Sequence, residues 1–249
     1  MRSLRRTFVL AALAAASFTT LPGAVRAETE PLRVATDATF PPMEFVDNGR
    51  RTGFDVELVE ALAAAMGRKV EWVDIDFKGL IPGLISRRFD MAVSAIYITD
   101  ERRKVVDFSD PYFAGGLVAM VKAGTPVKAP LDLNGKKVSV QVGTKSVSFV
   151  KQAFAQVELI EVEKNQEMFN LVDIGRADAL VTGKPAAYQY MRSRPGLQVV
   201  EPPLSTEEYG MALRKDEPEL TRALNAALAR LKADGSYQRI VGKWFPAAR

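Results

Sequence analysis

Apolar positions along the chain fall into two alternating periods. Leu32–Thr36 (LRVAT) reads as a strand. Phe54–Met66 (FDVELVEALAAAM) carries apolar residues at helical spacing and is stopped by Gly67, and Val70–Ile75 reads as a second strand. A helix around Phe77–Ser86 and a buried strand at Asp90–Ser94 follow, a βαβαβ rhythm that predicts a mostly parallel sheet with helices on its faces. After Asp110-Pro111 the pattern restarts: strand Val138–Val142, helix Ser146–Phe154, strand Leu159–Val162, helix Met168–Gly175, strand Ala179–Thr182 and helix-start chemistry at Pro185. Tyr209–Leu213 (YGMAL) is one further strand. Leu220, Leu224, Leu228 and Leu231 then mark one face of a helix capped by Gly235, and Tyr237–Phe245 forms the last helix. No long linker separates the two units, so the pattern predicts two similar α/β lobes.

The first 27 residues stand apart. MRSLRR is a positive n-region, Thr7 to Leu21 is apolar and rich in Ala, Pro22-Gly23 breaks it, and Val25-Arg26-Ala27 offers small residues at −3 and −1. This layout predicts a signal peptide cleaved after Ala27 and a protein exported to the periplasm. The apolar stretch falls short of the roughly 20 residues a membrane-spanning helix needs. Location also explains the net charge of +4. Arg2, Arg5, Arg6 and Arg26 lie in this leader with no acid, and beyond it 30 basic residues balance 30 acidic ones. A nucleic-acid partner is therefore not indicated. The chain has no Cys and no His, which removes disulfides, thiolate and zinc sites, and triads built on histidine.

Three strand-end segments carry candidate chemistry, and ligands of open α/β sheets bind at strand C-terminal ends. The loop Thr36–Phe45 (TDATFPPMEF) offers Asp37 as an acceptor and an aromatic for stacking, or is simply a Pro-rich loop with a core phenylalanine. In Ser94–Arg103 (SAIYITDERR), Thr99 reads as an N-cap, and Arg102 can grip a carboxylate bidentately unless it is a solvated arginine. Gln141–Ser146 (QVGTKS) is a strand-to-helix turn whose N–H groups suit an anion, without P-loop spacing. The acids at 74 and 76 and at 158, 161 and 163 alternate as on exposed strand faces, so neither a metal nor a cofactor is expected.

Together these segments resemble the polar amino-acid family of periplasmic solute-binding proteins, the receptors of ABC importers (bacterial solute-binding family 3), and are similar to its glutamine- and histidine-binding members. The resemblance spans residues 31–246. It is carried by TDATFPPMEF, GFDVEL (Gly53–Leu58), DFKGLIPGL (Asp76–Leu84), SAIYITDERR, DFSDPYF (Asp107–Phe113), QVGTKSVSF (Gln141–Phe149), GRADALV (Gly175–Val181) and YGMAL. It implies an α/β fold of two lobes, each a mostly parallel sheet flanked by helices. Extended hinge crossings are expected near Tyr112–Gly116 and Glu207–Gly210, with 28–112 plus 209–249 as lobe one and 113–208 as lobe two. It implies a monomeric receptor that binds a small amino acid or related carboxylate and presents it to the permease subunits.

By the same resemblance, Asp37, Phe40 and Phe54 match lobe-one contacts, and Ser94 and Ala95 contact ligand through the chain. Arg102 matches the arginine for the α-carboxylate, and Gln141, Thr144, Lys145 and Ser146 face the ligand from lobe two. Three positions depart from the pattern. Tyr97 replaces a small hydroxyl residue, Lys145 replaces a short polar one, and Gly183 stands where the family's aspartate accepts the α-ammonium. Without that acceptor, the ligand is either a dicarboxylate, 2-oxo acid or N-substituted amino acid, or an ordinary amino acid whose ammonium turns to Asp37, Glu44 or another acid. The alternatives to a receptor are a dehydratase of the cyclohexadienyl type, using Glu44 or Asp37 with Arg102 and Lys145, and a ligand-sensing module.

Overall fold

The computed structural model describes residues 30–194 and 196–246. The expected signal peptide and its cleavage site at Ala27 lie outside the described residues.

Two five-stranded sheets form the frame. In the first, the order is Val70–Asp74, Leu32–Thr36, Met91–Ala92, Ala212–Leu213, Asp107–Phe108. Leu32–Thr36 pairs parallel with Val70–Asp74 on one side and Met91–Ala92 on the other. Ala212–Leu213 returns antiparallel between Met91–Ala92 and Asp107–Phe108. In the second sheet, Glu158–Val162, Lys137–Gln141 and Ala179–Gly183 run parallel, and Leu117–Lys122 and Leu197–Val200 are added antiparallel. Parallel strands need helical crossovers, which cover both faces and leave strands such as Ala179–Gly183 wholly buried. The chain is thus a two-lobed α/β protein. Its lobes are linked by two extended segments that pair with each other, Phe113 opposite Tyr209 and Ala114 opposite Glu208.

Helix Phe54–Ala65 buries Phe54, Val56, Leu58, Val59, Leu62 and Ala63 against the first sheet. The helix Pro218–Ala233 covers the same lobe with Leu224, Leu228 and Leu231, and Gly235, at φ 77°, turns the chain into Ser236–Trp244. The expected elements are present with three differences. The strand expected at Asp90–Ser94 is only Met91–Ala92, because the chain turns at Ala95 with φ 46°. The strand expected at Tyr209–Leu213 is two short ones, Glu208–Tyr209 in the crossing and Ala212–Leu213 in the sheet. Leu117–Lys122, central in the second sheet, was not among the predicted strands. Its five consecutive buried apolar residues show no alternation, although a Gly pair precedes it and Gly124 follows.

The loop after Leu32–Thr36 is itself structured as a small sheet of Thr39–Phe40, Glu44–Asp47 and Arg50–Thr52. Gly53, at φ 128°, lets this sheet lie directly against helix Phe54–Ala65; any Cβ there would collide with the Met43 carbonyl, one residue from Glu44. Gly53→Ala is therefore expected to destabilise the protein by more than about 1 kcal/mol in a urea titration, whereas Gly49→Ala, with open space around it, should cost less.

Candidate functional site

The C-terminal ends of the central strands of both sheets meet across an interlobe cavity of about 30 Å³. Asp37, Phe40, Ser94, Ala95, Tyr97, Gln141, Thr144, Ser146 and Gly183 line it, as do Glu44, Phe77, Asn165, Thr182 and Tyr209. Three expected site residues stand elsewhere. Phe54 is fully buried in an aromatic cluster with Tyr112, Phe113, Tyr237 and Phe245, so it supports the hinge and does not face the cavity. Arg102 and Lys145 line a second, wider cavity that shares Phe77 and Thr144 with the first.

Asp37, at the end of Leu32–Thr36, is 3% exposed and yet fully hydrogen-bonded. Its Oδ1 accepts from Thr39 Oγ1 at 3.0 Å and Lys164 Nζ at 3.1 Å. Its Oδ2 accepts from the Phe77 N–H at 3.1 Å and Gln141 Nε2 at 2.9 Å. A carboxylate offers about four acceptor positions, and all are taken. Two of the donors, Gln141 and Lys164, come from the second sheet's side of the cleft. Lys164 also reaches Asp76 at 2.6 Å, and Lys78 pairs with Glu163 at 2.5 Å. Burial pulls the Lys164 ammonium down, but the hydrogen bonds and charges of Asp76 and Asp37 outweigh it and hold the group above its ordinary value. Lys164 and Asn165 were missed in the sequence; helix Asn165–Asp173 starts there, after the strand Glu158–Val162. That strand-to-helix placement was the available signal.

Beneath the cavity, Glu44 and Asp55 are both wholly buried. Glu44 Oε1 accepts from Ser94 Oγ at 2.8 Å. Asp55 Oδ2 accepts from the Ala95 N–H at 2.9 Å and the Tyr112 hydroxyl at 2.8 Å. Glu44 Oε2 and Asp55 Oδ1 are buried without a hydrogen-bond partner, and the two carboxyls act on each other's ionisation. Burial, then the charge of Asp55, pushes Glu44 well above the usual carboxylate range; burial raises Asp55 as well, while its donors oppose the rise. Glu44 thus holds the proton. The Asp55 carboxylate also fixes Ala95 in its left-handed conformation, sparsely populated for a residue other than Gly.

Tyr209 and Tyr97 form the wall facing Gly183. The Tyr209 hydroxyl donates to Tyr97 Oη at 3.2 Å, and the Tyr97 hydroxyl donates to the Gly116 carbonyl at 2.7 Å. Burial raises both phenols far above their ordinary value, so both stay neutral. Gly183 admits no side chain: a Cβ would collide with the Tyr209 hydroxyl and stand 3.1 Å from Phe40 Cζ.

Arg102 lies in the short helix Asp100–Arg103, whose N-cap Thr99 accepts the Arg102 N–H through its hydroxyl, as the sequence suggests. Its guanidinium lies over the Phe77 ring, donates to the Tyr97 carbonyl at 2.8 Å and reaches the Gly143 carbonyl across the cleft at 3.2 Å. Burial lowers it to about 10, and the charges of Glu101 and Tyr97 oppose the shift. Among the described residues it forms no salt bridge, whereas Lys145 is paired with Glu207 at 2.7 Å. No group of metal-ligating side chains occurs among the described residues, and no described helix is long and apolar enough to cross a membrane.

The sequence profile of the bacterial extracellular solute-binding proteins, family 3, matches residues 32–247. The chain is 34% identical over 220 residues to the L-cystine-binding protein TcyJ of Escherichia coli K12, covering 87% of this chain and 83% of that protein. It is 34% identical over 247 residues to ABC transporter arginine-binding protein 1 of the same organism, covering 97% and 99%. An ancestral arginine-binding protein solved with arginine bound superposes with a TM-score of 0.84 at 43% identity, covering 86% of this chain and 98% of that one.

The raised Glu44 has a consequence for stability. Its unfolded counterpart ionises near pH 4 while the folded protein still holds the proton, so stability is lost as pH rises above that range. Glu44→Gln, which keeps a donor toward Asp55, should melt at a higher temperature than the wild type at pH 7.5. The difference should shrink toward zero near pH 4 in calorimetric scans.

Proposed function

The chain belongs to the bacterial extracellular solute-binding proteins, family 3, and from that premise we propose that it is an exported receptor. It captures a small amino acid or related carboxylate between its lobes and presents the closed complex to the membrane subunits of an ABC importer. Arg102 is the observation that carries this reading. It is a half-buried cation with no salt-bridge partner among the described residues, set at the cleft between the lobes, where partial loss of water favours the arrival of an anion. Two of its five N–H donors are engaged by carbonyls, which leaves three for a carboxylate.

The lobes are 28–112 with 209–249, and 113–208, and they close about the paired crossings Phe113–Ala114 and Glu208–Tyr209. Closure brings Gln141, Lys164 and the Gly143 carbonyl onto Asp37 and Arg102. Ligand shifts the population of lobes toward this closed form, and the permease reads the shape. Capture without catalysis fits the cavity's acids. Asp37 has no free lone pair, and Glu44 keeps its proton against Asp55, so neither is poised to move a substrate proton. The mature protein is a periplasmic monomer beginning at Glu28.

N-terminal sequencing of protein from the periplasmic fraction should start at Glu28. After unfolding and refolding to strip carried-over ligand, a fitting carboxylate at 100 times its dissociation constant adds about 2.7 kcal/mol. That corresponds to roughly 5–10 °C in melting temperature. Arg102→Met should weaken the same ligand about 10- to 100-fold. A broad panel of small carboxylates that leaves the melting temperature unmoved would overturn the receptor reading.

A further inference from the structure

On the basis of the receptor reading, we infer that the cleft selects an organic acid bearing an uncharged hydroxyl, not an ammonium, beside its carboxylate: a 2-hydroxy acid. Three features of the cavity converge on that choice. The first concerns charge. Asp37 and Glu44 are the acids that line the cavity. The acceptor positions of Asp37 are filled by Thr39, Phe77, Gln141 and the Lys164 ammonium. Glu44 Oε1 accepts from Ser94, and burial and the charge of the adjacent Asp55 keep the Glu44 carboxyl neutral, so it offers no charge to an ammonium. A primary ammonium would enter with no carboxylate free to receive it, and burying an unpaired cation is strongly unfavourable.

The second concerns space. The wall at Gly183 has no room for a carboxylate-bearing side chain, because the Tyr209 hydroxyl and the Phe40 ring occupy it. The acceptor there is a phenol oxygen by construction.

The third concerns hydrogen-bond direction. The Tyr209 proton goes to Tyr97 and the Tyr97 proton goes to the Gly116 carbonyl. The relay ends on a backbone acceptor, so what Tyr209 Oη presents to the cavity is lone pairs. A ligand hydroxyl donates to that oxygen. A 2-oxo group, which only accepts, would leave it unmatched, and a site built to hydrogen-bond a hydroxyl discriminates strongly against an analogue lacking it. Across Phe77 and Thr144 this cavity adjoins the wider one that Arg102 lines, so a ligand spanning the two meets a cation on that side and the phenol oxygen of Tyr209 on the other.

The test is isothermal titration calorimetry on the exported protein, unfolded and refolded to remove bound ligand. The titrants are matched trios of 2-hydroxy, 2-oxo and 2-amino acids that share one carbon skeleton, with acidic, aliphatic, aromatic and guanidino side chains. The hydroxy member of at least one trio should bind at least tenfold tighter than both of its partners. Tyr209→Phe, checked for native circular dichroism, should reduce that preference on the order of tenfold. The double variant Gly183→Asp with Tyr209→Phe supplies a carboxylate in the vacated space and should favour the amino member. If the amino or oxo member binds tightest to the unmodified protein, the inference is overturned while the receptor reading stands. If no member of any trio binds, the receptor reading falls and the inference falls with it.

Discussion

The cleft is organised by the requirement that a buried carboxylate be fully hydrogen-bonded. Asp37 sits at the end of a central strand, almost without solvent, and draws its four donors from three directions. Thr39 and the Phe77 amide are supplied by its own lobe; Gln141 and Lys164 reach it from the other. An unsatisfied carboxylate in that position would be too costly to keep. The interlobe contact is therefore part of how the charge is accommodated, and Gln141 is itself braced by Asn165 at 2.8 Å.

Around this centre, the remaining interlobe contacts differ in kind. Lys78–Glu163 is half-exposed on both sides, a pair of the sort worth little in isolation. The Arg102–Gly143 contact joins a half-buried guanidinium to a backbone carbonyl of the other lobe and neutralises no charge. At the cavity floor, Glu44 and Asp55 show the other way to bury acids, as burial raises both carboxyls and favours the neutral form of Glu44. Their donors, Ser94, Ala95 and Tyr112, connect this pair to the strand end that lines the cleft and to the hinge. The backbone at Ala95, the cavity floor and the crossing are consequently one hydrogen-bonded unit.

Gly183 and Tyr97, the positions expected from the sequence to depart from the family pattern, both line the interlobe cavity. Relatives named for binding cystine or arginine share the fold over nearly the whole chain. Tyr97 and Tyr209, by contrast, stand as a tilted pair with ring centroids 4.6 Å apart and fill the place a larger residue at 183 would need. Gly183 and the tyrosine pair are thus a single steric arrangement.

Much of this architecture was legible from the chain alone. Helical and strand periods depend on local burial, so Leu32–Thr36, Phe54–Ala65 and the leucine face of Pro218–Ala233 announced themselves. So did Thr99 as a cap and the strand-end loops that hold Asp37, Ser94 and Gln141, since caps and loop positions are set within a few residues. Leu117–Lys122 was not, because a continuous apolar run has no period to read. Nor was the outward-from-cleft placement of Phe54, where helix packing and not motif membership decides the side chain's neighbours. The roles of Lys164, Tyr209 and the Glu44–Asp55 pair were decided by tertiary structure alone. Asp37 and Lys164 lie 127 positions apart, and Tyr97 and Tyr209 lie 112 apart. Hydrogen-bond saturation and linked ionisation arise only when such distant groups are brought within 3 Å or so and water is excluded.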